Sequence, residues 1–371
     1  MDSKLTITLY VMSWGGYWDK YKDQWIQQVN NFITQPDEII IVSDVKVDAS
    51  DLKHSNVKNI ITPVDKNFYS LGNYRNVAIA NSSSDWIVAS DLDDEQLPNY
   101  LDNLDPSADI CAFSFIDKEY DVFYTPNSES LNKRLLGICD NSMIPSFSAI
   151  KRSVFDKIRY EDSGHDDRVF YATASKLDLK VINVNPTEPR VIYSGFHPTP
   201  HNAEFKRVSD IYSKILSGNR NIYCFWFSEL NEDVLNTFQV LQKHSGCNLV
   251  LINDKVFNKL ENQEFPIHSK FKLLSDTQKI IYAKAYMMYF YGEGATDIEP
   301  NTFDWNIYFD ELFLSRHDAV ISKHYVFKPK TKVAHTWLSL IHEAMDKPID
   351  SIELKDCLHQ AQHKLNIDDI S

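Results

Sequence analysis

Three carboxylates, Asp91, Asp93 and Asp94, stand within four residues of one another in the run DWIVASDLDDE. Like charges that close repel unless a cation sits among them. Carboxylate oxygens are hard ligands, so the cation that fits is Mn²⁺ or Mg²⁺, which takes one or two carboxylates and fills its other positions with water and phosphate oxygens. A second acidic group lies in the stretch YEDSGHDDR, where Asp166 and Asp167 open an apolar helical pattern. A carboxylate within about 3 Å of a hydroxyl can take its proton as a new bond forms. Each group also has a plainer reading. The first could be an acidic loop capping a helix that begins near Leu97, and the second could cap its own helix and favour the dipole.

The elements that must position these acids are legible around them. Trp86–Ala89 is a short apolar run of the kind that forms a strand buried on both faces, and the acids follow at its carboxyl end, where open α/β sheets hold ligands. Leu5–Met12 reads as a first strand and Trp14-Gly15-Gly16 as a turn. Tyr17, Tyr21, Trp25, Ile26, Val29 and Phe32 have helical spacing, and Pro36-Asp37 breaks the pattern. EIIIVS (Glu38–Ser43) is the next buried strand and ends at Asp44; strand, helix and parallel strand make a right-handed βαβ unit. Asn59–Ile61 reads as a third strand, and Leu71-Gly72-Asn73-Tyr74-Arg75-Asn76 opens a helix that leads back into the Trp86 strand. Downstream, Leu97–Leu104 reads as a short helix, Asp109–Phe115 and Glu119–Tyr124 as strands, and Asn127–Asn141 as a polar stretch carrying Lys133 and Arg134. That stretch fits a loop over an acceptor site or plain surface.

Composition excludes several classes. The chain has 371 residues, 43% of them hydrophobic, enough for two domains with real cores. Gly and Pro are sparse, so long disordered segments are not expected. The net charge of -14 argues against a nucleic-acid partner. No run of about eighteen apolar residues is present to span a bilayer. The start, MDSKLTITLYVMSW, lacks the apolar core of a signal peptide. A cytoplasmic protein is the expectation, with peripheral contact at the inner face of a membrane left open. The five cysteines, Cys111, Cys139, Cys224, Cys247 and Cys357, are scattered without a CxxC pair, as reduced thiols would be.

The order strand, helix, EIIIVSD, helix at GNYRN, then DWIVASDLDD resembles the nucleotide-sugar-binding half of a family 2 glycosyltransferase of the GT-A fold. The resemblance implies that Asp44 contacts the nucleoside and that Arg75 and Asn76 lie beside the nucleotide. It identifies Asp91-Leu92-Asp93 with the DxD motif, whose carboxylates hold a divalent metal on the diphosphate and reach the ribose. SFSAIK (Ser146–Lys151) matches the strand ahead of the catalytic acid. Aligned on Gly164, the family's glutamate falls on His165 and its base on Asp166, with Asp167 or Asp162 able to carry the role instead. Some GT-A enzymes add a late histidine to the metal, and His197 is the better placed candidate, ahead of His201.

After a helical stretch ending at Ser217-Gly218 a second set of beats begins: Ile222–Phe227, an amphipathic helix Glu232–His244, NLVLIN ending at Asp254, and a long helix from Lys272 to Tyr291. The halves rhyme, which points to a duplicated domain. The second half resembles capsular polysaccharide synthesis proteins and family 32 transferases. Tyr291-Gly292-Glu293-Gly294 stands at their turn, Asp297-Ile298-Glu299 at their DxD, and Lys284 at their arginine. The Ser-Asp pair of those families is displaced here to Ser275-Asp276. His335 reads as a core or surface residue and not as a ligand.

The expected fold class is α/β: a GT-A domain over 1–217 and a smaller, diverged GT-A-like domain over 218–371. The expected activity is metal-dependent, inverting transfer from a nucleoside-diphosphate sugar, UDP above all, to a hydroxyl of a glycan or lipid-linked acceptor in surface polysaccharide synthesis. Asp254, Asp297 and Glu299 mark a candidate site in the second domain, which would make the protein bifunctional if active. Two other classes fit some of the same residues. One is a metal-dependent phosphohydrolase using His165, Asp166, His197 and His201 with the Asp91 cluster; the other is a non-catalytic carbohydrate-binding protein.

Overall fold

Runs such as ITLYVMS, EIIIVS and WIVAS have no polar face to offer water, so they form strands covered on both sides. In a computed structural model of the chain, every residue of these three strands is buried. The structure describes residues 5–63, 71–135, 140–161, 166–194, 202–262, 265–299, 303–314, 317–321, 325–348 and 351–365. The chain divides into two compact units, Met1–Ser213 and Lys214–Ser371.

The first unit runs β1 (Ile7–Ser13), α1 (Tyr17–Asn30), β2 (Glu38–Ser43), β3 (Val57–Ile61), α2 (Leu71–Asn81), β4 (Trp86–Ser90), β5 (Glu95–Gln96), β6 (Ile110–Ala112), β7 (Phe115–Asp117), β8 (Val122–Tyr124), α3 (Ser130–Leu135), β9 (Ala149–Lys151), α4 (Asp166–Ala174), β10 (Val181–Asn183) and β11 (Val191–Tyr193). Helix α5 (Asn202–Leu216) crosses the division. A seven-stranded sheet has the order β10-β6-β9-β4-β1-β2-β3. β1 pairs in parallel with both β2 and β4, and β9 is antiparallel to β4 and β6. Alternate residues feed two cores. Leu9 and Val11 join Trp18, Trp25 and Trp86 on one face, whereas Tyr10 and Met12 join Tyr74, Tyr160 and Phe170 on the other. Burying each of these large side chains contributes about 1.5–3 kcal/mol. A four-stranded sheet, β5-β11-β7-β8, stands beside the acidic run.

The second unit holds β12 (Asn221–Phe225), α6 (Glu232–His244), β13 (Asn248–Ile252), α7 (Asp254–Phe257), α8 (Asp276–Phe290), β14 (Glu293–Thr296), α9 (Asn306–Leu314), β15 (Ala319–Ile321), β16 (Tyr325–Phe327), α10 (Lys332–Met345) and α11 (Cys357–Lys364). Its sheet, β13-β12-β14-β16-β15, repeats the order and the directions of β2-β1-β4-β9-β6 in the first unit. Both halves are therefore α/β, and Asp297 follows β14 as Asp91 follows β4. His335 packs its ring against Phe265 and Tyr289.

Several local expectations change: the strand expected over Asp109–Phe115 is divided between β6 in the seven-stranded sheet and β7 in the four-stranded one, and the strand expected over Glu119–Tyr124 is confined to β8. Leu97–Leu104 forms turns and no helix: the Tyr100 amide closes on the Leu97 carbonyl at 2.9 Å and the Asp102 amide on Asn99 at 3.1 Å, three-residue closures where a helix would use four. Within the polar stretch 127–141, Ser130–Leu135 is helical. Among the described residues no helix is long and apolar enough to cross a membrane.

Candidate active site

The parallel strands β1, β2 and β4 end at Ser13, Ser43 and Ser90, so the residues after them share one edge of the sheet. At the first end Gly15 and Gly16 take φ of 59° and 83°, a left-handed pair that turns the chain into α1 without a Cβ penalty. The Gly15 amide donates to Asp44 Oδ2 at 3.0 Å, which ties the ends of β1 and β2 together. Trp14 lies nearly parallel to Tyr17 (6.4 Å, 9°) and against Tyr74 (5.8 Å), and Trp14 remains 37% exposed. The Tyr74 hydroxyl donates to the Thr62 carbonyl at 2.7 Å, and burial together with Asp44 pushes its pKa up to about 12. An aromatic shelf thus borders Asp44.

The acids after β4 have unequal surroundings. Asp93 Oδ2 accepts the Tyr17 hydroxyl at 3.0 Å. Asp91 has its carbonyl held by Gln96 Nε2 at 2.8 Å and its Oδ2 3.5 Å from Ser146 Oγ. Asp94 is 1% exposed; its Oδ1 accepts the Ser194 amide at 2.9 Å, and its Oδ2 has no hydrogen-bond partner among the described residues. Burial raises Asp91, against the pull of Arg75, and raises Asp94 further with the charge of Asp91 added. Both shifts come first from burial, with the neighbouring carboxylates adding repulsion.

The first turn of α4 brings two more carboxylates under the influence of Asp91. They are held differently. Asp166 is 2% exposed, and its Oδ2 accepts Arg75 Nε at 2.5 Å. Burial outweighs the arginine and, with Asp167 and Asp91 nearby, pushes Asp166 up to about 6. Asp167 accepts Arg134 Nη2 at 3.1 Å while its side chain keeps 22% of its surface open. Arg134 comes from α3, inside the polar stretch, where the sequence marked it only as a basic residue of a loop. It also donates to the Ile144 carbonyl at 2.9 Å, and its buried Nε has no partner among the described residues. The segment Ile144–Ser146 therefore touches both groups of acids, through Arg134 on one side and Asp91 on the other.

The residues marked from sequence separate on this map. Asp44, Asp91 and Asp93 lie along the edge of the sheet. Arg75 and Asn76, expected beside a nucleotide, point inward. Arg75 is 3% exposed and committed to Asp166 and Tyr10, and the Asn76 amide holds the backbone of Tyr160 through bonds of 2.8 and 3.1 Å. Asp166, aligned with the base, faces Arg75 and not an open cleft. Trp14, Tyr10, Tyr17 and Ser146 carried no signal of their own as site residues, being aromatic or polar side chains in ordinary elements, whereas Arg134 lay in the stretch that fitted a loop over an acceptor site or plain surface. His165, Asp162, His197 and His201 lie outside the described residues.

Among the described residues no three His, Cys, Asp or Glu side chains gather to hold a metal ion by themselves. The all-oxygen set of Asp91 and Asp93, with the orphaned Asp94 Oδ2 behind them, suits a Mg²⁺- or Mn²⁺-like ion that draws its other ligands from a substrate phosphate.

In the second unit Asp297 accepts Lys284 Nζ at 2.9 Å, and Asp254 sits 3.6 Å from Lys279 Nζ. Glu299 is exposed, its amide bonded to the Asp297 carbonyl. Glu293, in the expected turn, is 3% exposed at φ 65°; its carboxylate accepts the Tyr223 hydroxyl and two Asn221 donors. It is a structural acid.

No family model matches the chain, and no curated protein sequence matches it. Among solved structures it is similar to residues 1–349 of TarS from S. aureus in complex with UDP-GlcNAc, with TM-score 0.41 and 13% identity over 76% of this chain and 81% of that one. It is also similar to glucosyl-3-phosphoglycerate synthase from Mycobacterium tuberculosis in complex with Mn²⁺, UDP and glucosyl-3-phosphoglycerate, with TM-score 0.40 and 12% identity over 58% and 81%. A third is the mannosyltransferase PcManGT from Pyrobaculum calidifontis with GDP-Man and Mn²⁺, with TM-score 0.34 and 14% identity over 58% and 64%. At these scores the α/β assignment rests on the strand order above.

Proposed function

We propose that the first unit is a metal-dependent glycosyltransferase of the GT-A class that moves a sugar from a nucleoside diphosphate, UDP foremost, to a hydroxyl of a glycan or lipid-linked acceptor. One observation carries the reading. A single sheet edge gathers an aromatic shelf beside Asp44 and the carboxylates of Asp91 and Asp93, and the first turn of α4 adds an accessible carboxylate, Asp167, braced by an arginine. The exposed Trp14 ring, backed by the buried Tyr74 and flanked by Tyr17, suits a nucleobase, and Asp44 can accept a hydrogen bond from it. A divalent cation, when bound by Asp91 and Asp93, would neutralise the diphosphate and help it leave.

Asp167 is the base in this reading, because a base must reach its proton and Asp166 is enclosed. The acceptor oxygen attacks the anomeric carbon as that carbon's bond to the diphosphate breaks. The hydroxyl proton passes to Asp167, and the nucleoside diphosphate departs with the bonding electrons. Attack from the face opposite the leaving group inverts the anomeric centre. Arg134 holds the carboxylate in line and, once it is protonated, stays beside it. The role in surface polysaccharide synthesis is the setting this chemistry would serve. In the second unit Lys284 pairs with a half-exposed Asp297, and that unit is read in this proposal as a binding module.

Calorimetry of UDP with and without Mn²⁺, followed by a screen of UDP- and GDP-sugars for turnover, tests the proposal. Mn²⁺-dependent binding that disappears in Asp93→Ala, with folding retained, is the expected result. Full activity in that variant would remove the metal role. Product analysis by mass spectrometry of Asp297→Ala should show the same transfer as the wild type; a missing product would make the second unit catalytic.

A further inference from the structure

A buried ion pair joins two residues that the sequence assigned to opposite substrates. Arg75 on α2 donates from Nε to Asp166 on α4 and from Nη1 to the Tyr10 hydroxyl on β1 at 3.1 Å, and its guanidinium lies 5.2 Å from the centre of the Tyr160 ring. The neighbouring Asn76 clamps the Tyr160 backbone with both amide atoms, so the aromatic wall under Arg75 is itself fixed. Both charged side chains are almost fully enclosed, at 4% and 3% exposure. For Arg75 to reach a nucleotide it would have to abandon Asp166 and strand a buried carboxylate. For Asp166 to take a proton from an acceptor it would have to leave Arg75 in the same state.

Resting on the reading above, in which Asp167 is the base, we infer that Arg75 and Asp166 are positioning residues: the pair bolts β1 and α2 to the first turn of α4 and thereby sets where Asp167 stands, touching neither donor nor acceptor. Asp167 follows Asp166 directly, so an error in the anchored turn moves the base itself. A displacement near 1 Å is enough to cost about 100-fold in rate. Arg134 holds the Asp167 carboxylate from α3, and Arg75 holds the helix turn that carries it. The two arginines thus have separate tasks.

The test uses the full chain as wild type, Arg75→Met, Asp166→Asn, the double variant and Asp167→Asn, with three measurements: UDP affinity in Mn²⁺, turnover with the donor found by the screen, and thermal unfolding. Each single change at the pair should lower turnover about 100-fold while UDP affinity stays within about threefold. The double variant should regain at least about tenfold over Asp166→Asn and melt above both singles, because neither charge is left buried alone. Asp167→Asn should lose at least about 100-fold in turnover with near-normal melting.

Three results would overturn the inference. A fall in UDP affinity beyond about tenfold in Arg75→Met would make Arg75 a donor ligand. A double variant that melts like the wild type yet remains as inactive as Asp166→Asn would make Asp166 the base. Additive losses of melting temperature would show that the two residues are not coupled. If the wild type binds no UDP with Mn²⁺, the proposed function fails before any variant is compared, and the positioning role falls with it.

Discussion

The titration of Asp166 has a consequence for stability that can be worked out in sign and size. Its folded carboxyl holds a proton up to about pH 6, against 3.8 for the free side chain, because burial outweighs Arg75 and Asp167 and Asp91 add repulsion. The folded chain therefore binds more protons than the unfolded one between those values. The group's contribution is fully present below about pH 4 and is lost as pH rises through 6. The whole shift corresponds to about 3 kcal/mol, of which about 1 kcal/mol is gained on going from pH 7 to pH 5. Asp91 and Asp94 are raised as well and act in the same direction. Urea unfolding at pH 5, 6 and 7, followed by circular dichroism and tryptophan fluorescence and fitted as two transitions, measures the change for each unit. Asp166→Asn keeps Asp91 and Asp94 but cannot titrate at this position, so its first unit should gain about 1 kcal/mol less than the wild type between pH 7 and pH 5. An equal or larger gain in the variant would mean that the ion pair, and not burial, governs Asp166.

Other outcomes follow from the same geometry. Asp167→Asn should lower kcat by two orders of magnitude or about that, leaving UDP affinity intact, since general-base contributions run to about 10²–10⁴-fold; steady-state kinetics beside calorimetry would show it, and an unchanged kcat would move the base elsewhere. Gly292 closes α8 at φ 60°, and a Cβ there would lie 2.6 Å from both the Phe327 carbonyl oxygen and the Pro329 nitrogen. Gly292→Ala should therefore destabilise the second unit by at least about 2 kcal/mol, the strain of a left-handed alanine plus a backbone clash that cannot be relieved by a rotamer change. A melting temperature of that unit within a degree of the wild type would contradict the packing.

Much of the architecture is local information. The runs ITLYVMS, EIIIVS and WIVAS state their own burial, because a strand with no polar face must be covered on both sides. The order of beats then implies parallel pairing and places the ends of those strands, with Asp44 and Asp91, on one edge. Glu232–His244 and Lys332–Met345 announce themselves by helical spacing and end where the pattern ends. The six residues of α3 are different. They are too short and too polar to show a period, and they become a helix through packing against α4.

Which acid faces a substrate is not local information. Asp166 and Asp167 are identical in type and adjacent, and a helix turns about 100° between neighbours, so one faces Arg75 in the core and the other faces Arg134 at the rim. The sequence alone determined the α/β class, the buried parallel strands β1, β2 and β4 and the edge on which the acids after them stand. Only the tertiary structure decided that Arg75 serves Asp166, that Arg134 serves Asp167, and that Lys284 pairs with Asp297. Each of those pairings joins separate elements, and the free energy of a buried charge depends on what the fold places beside it, which no spacing along the chain encodes.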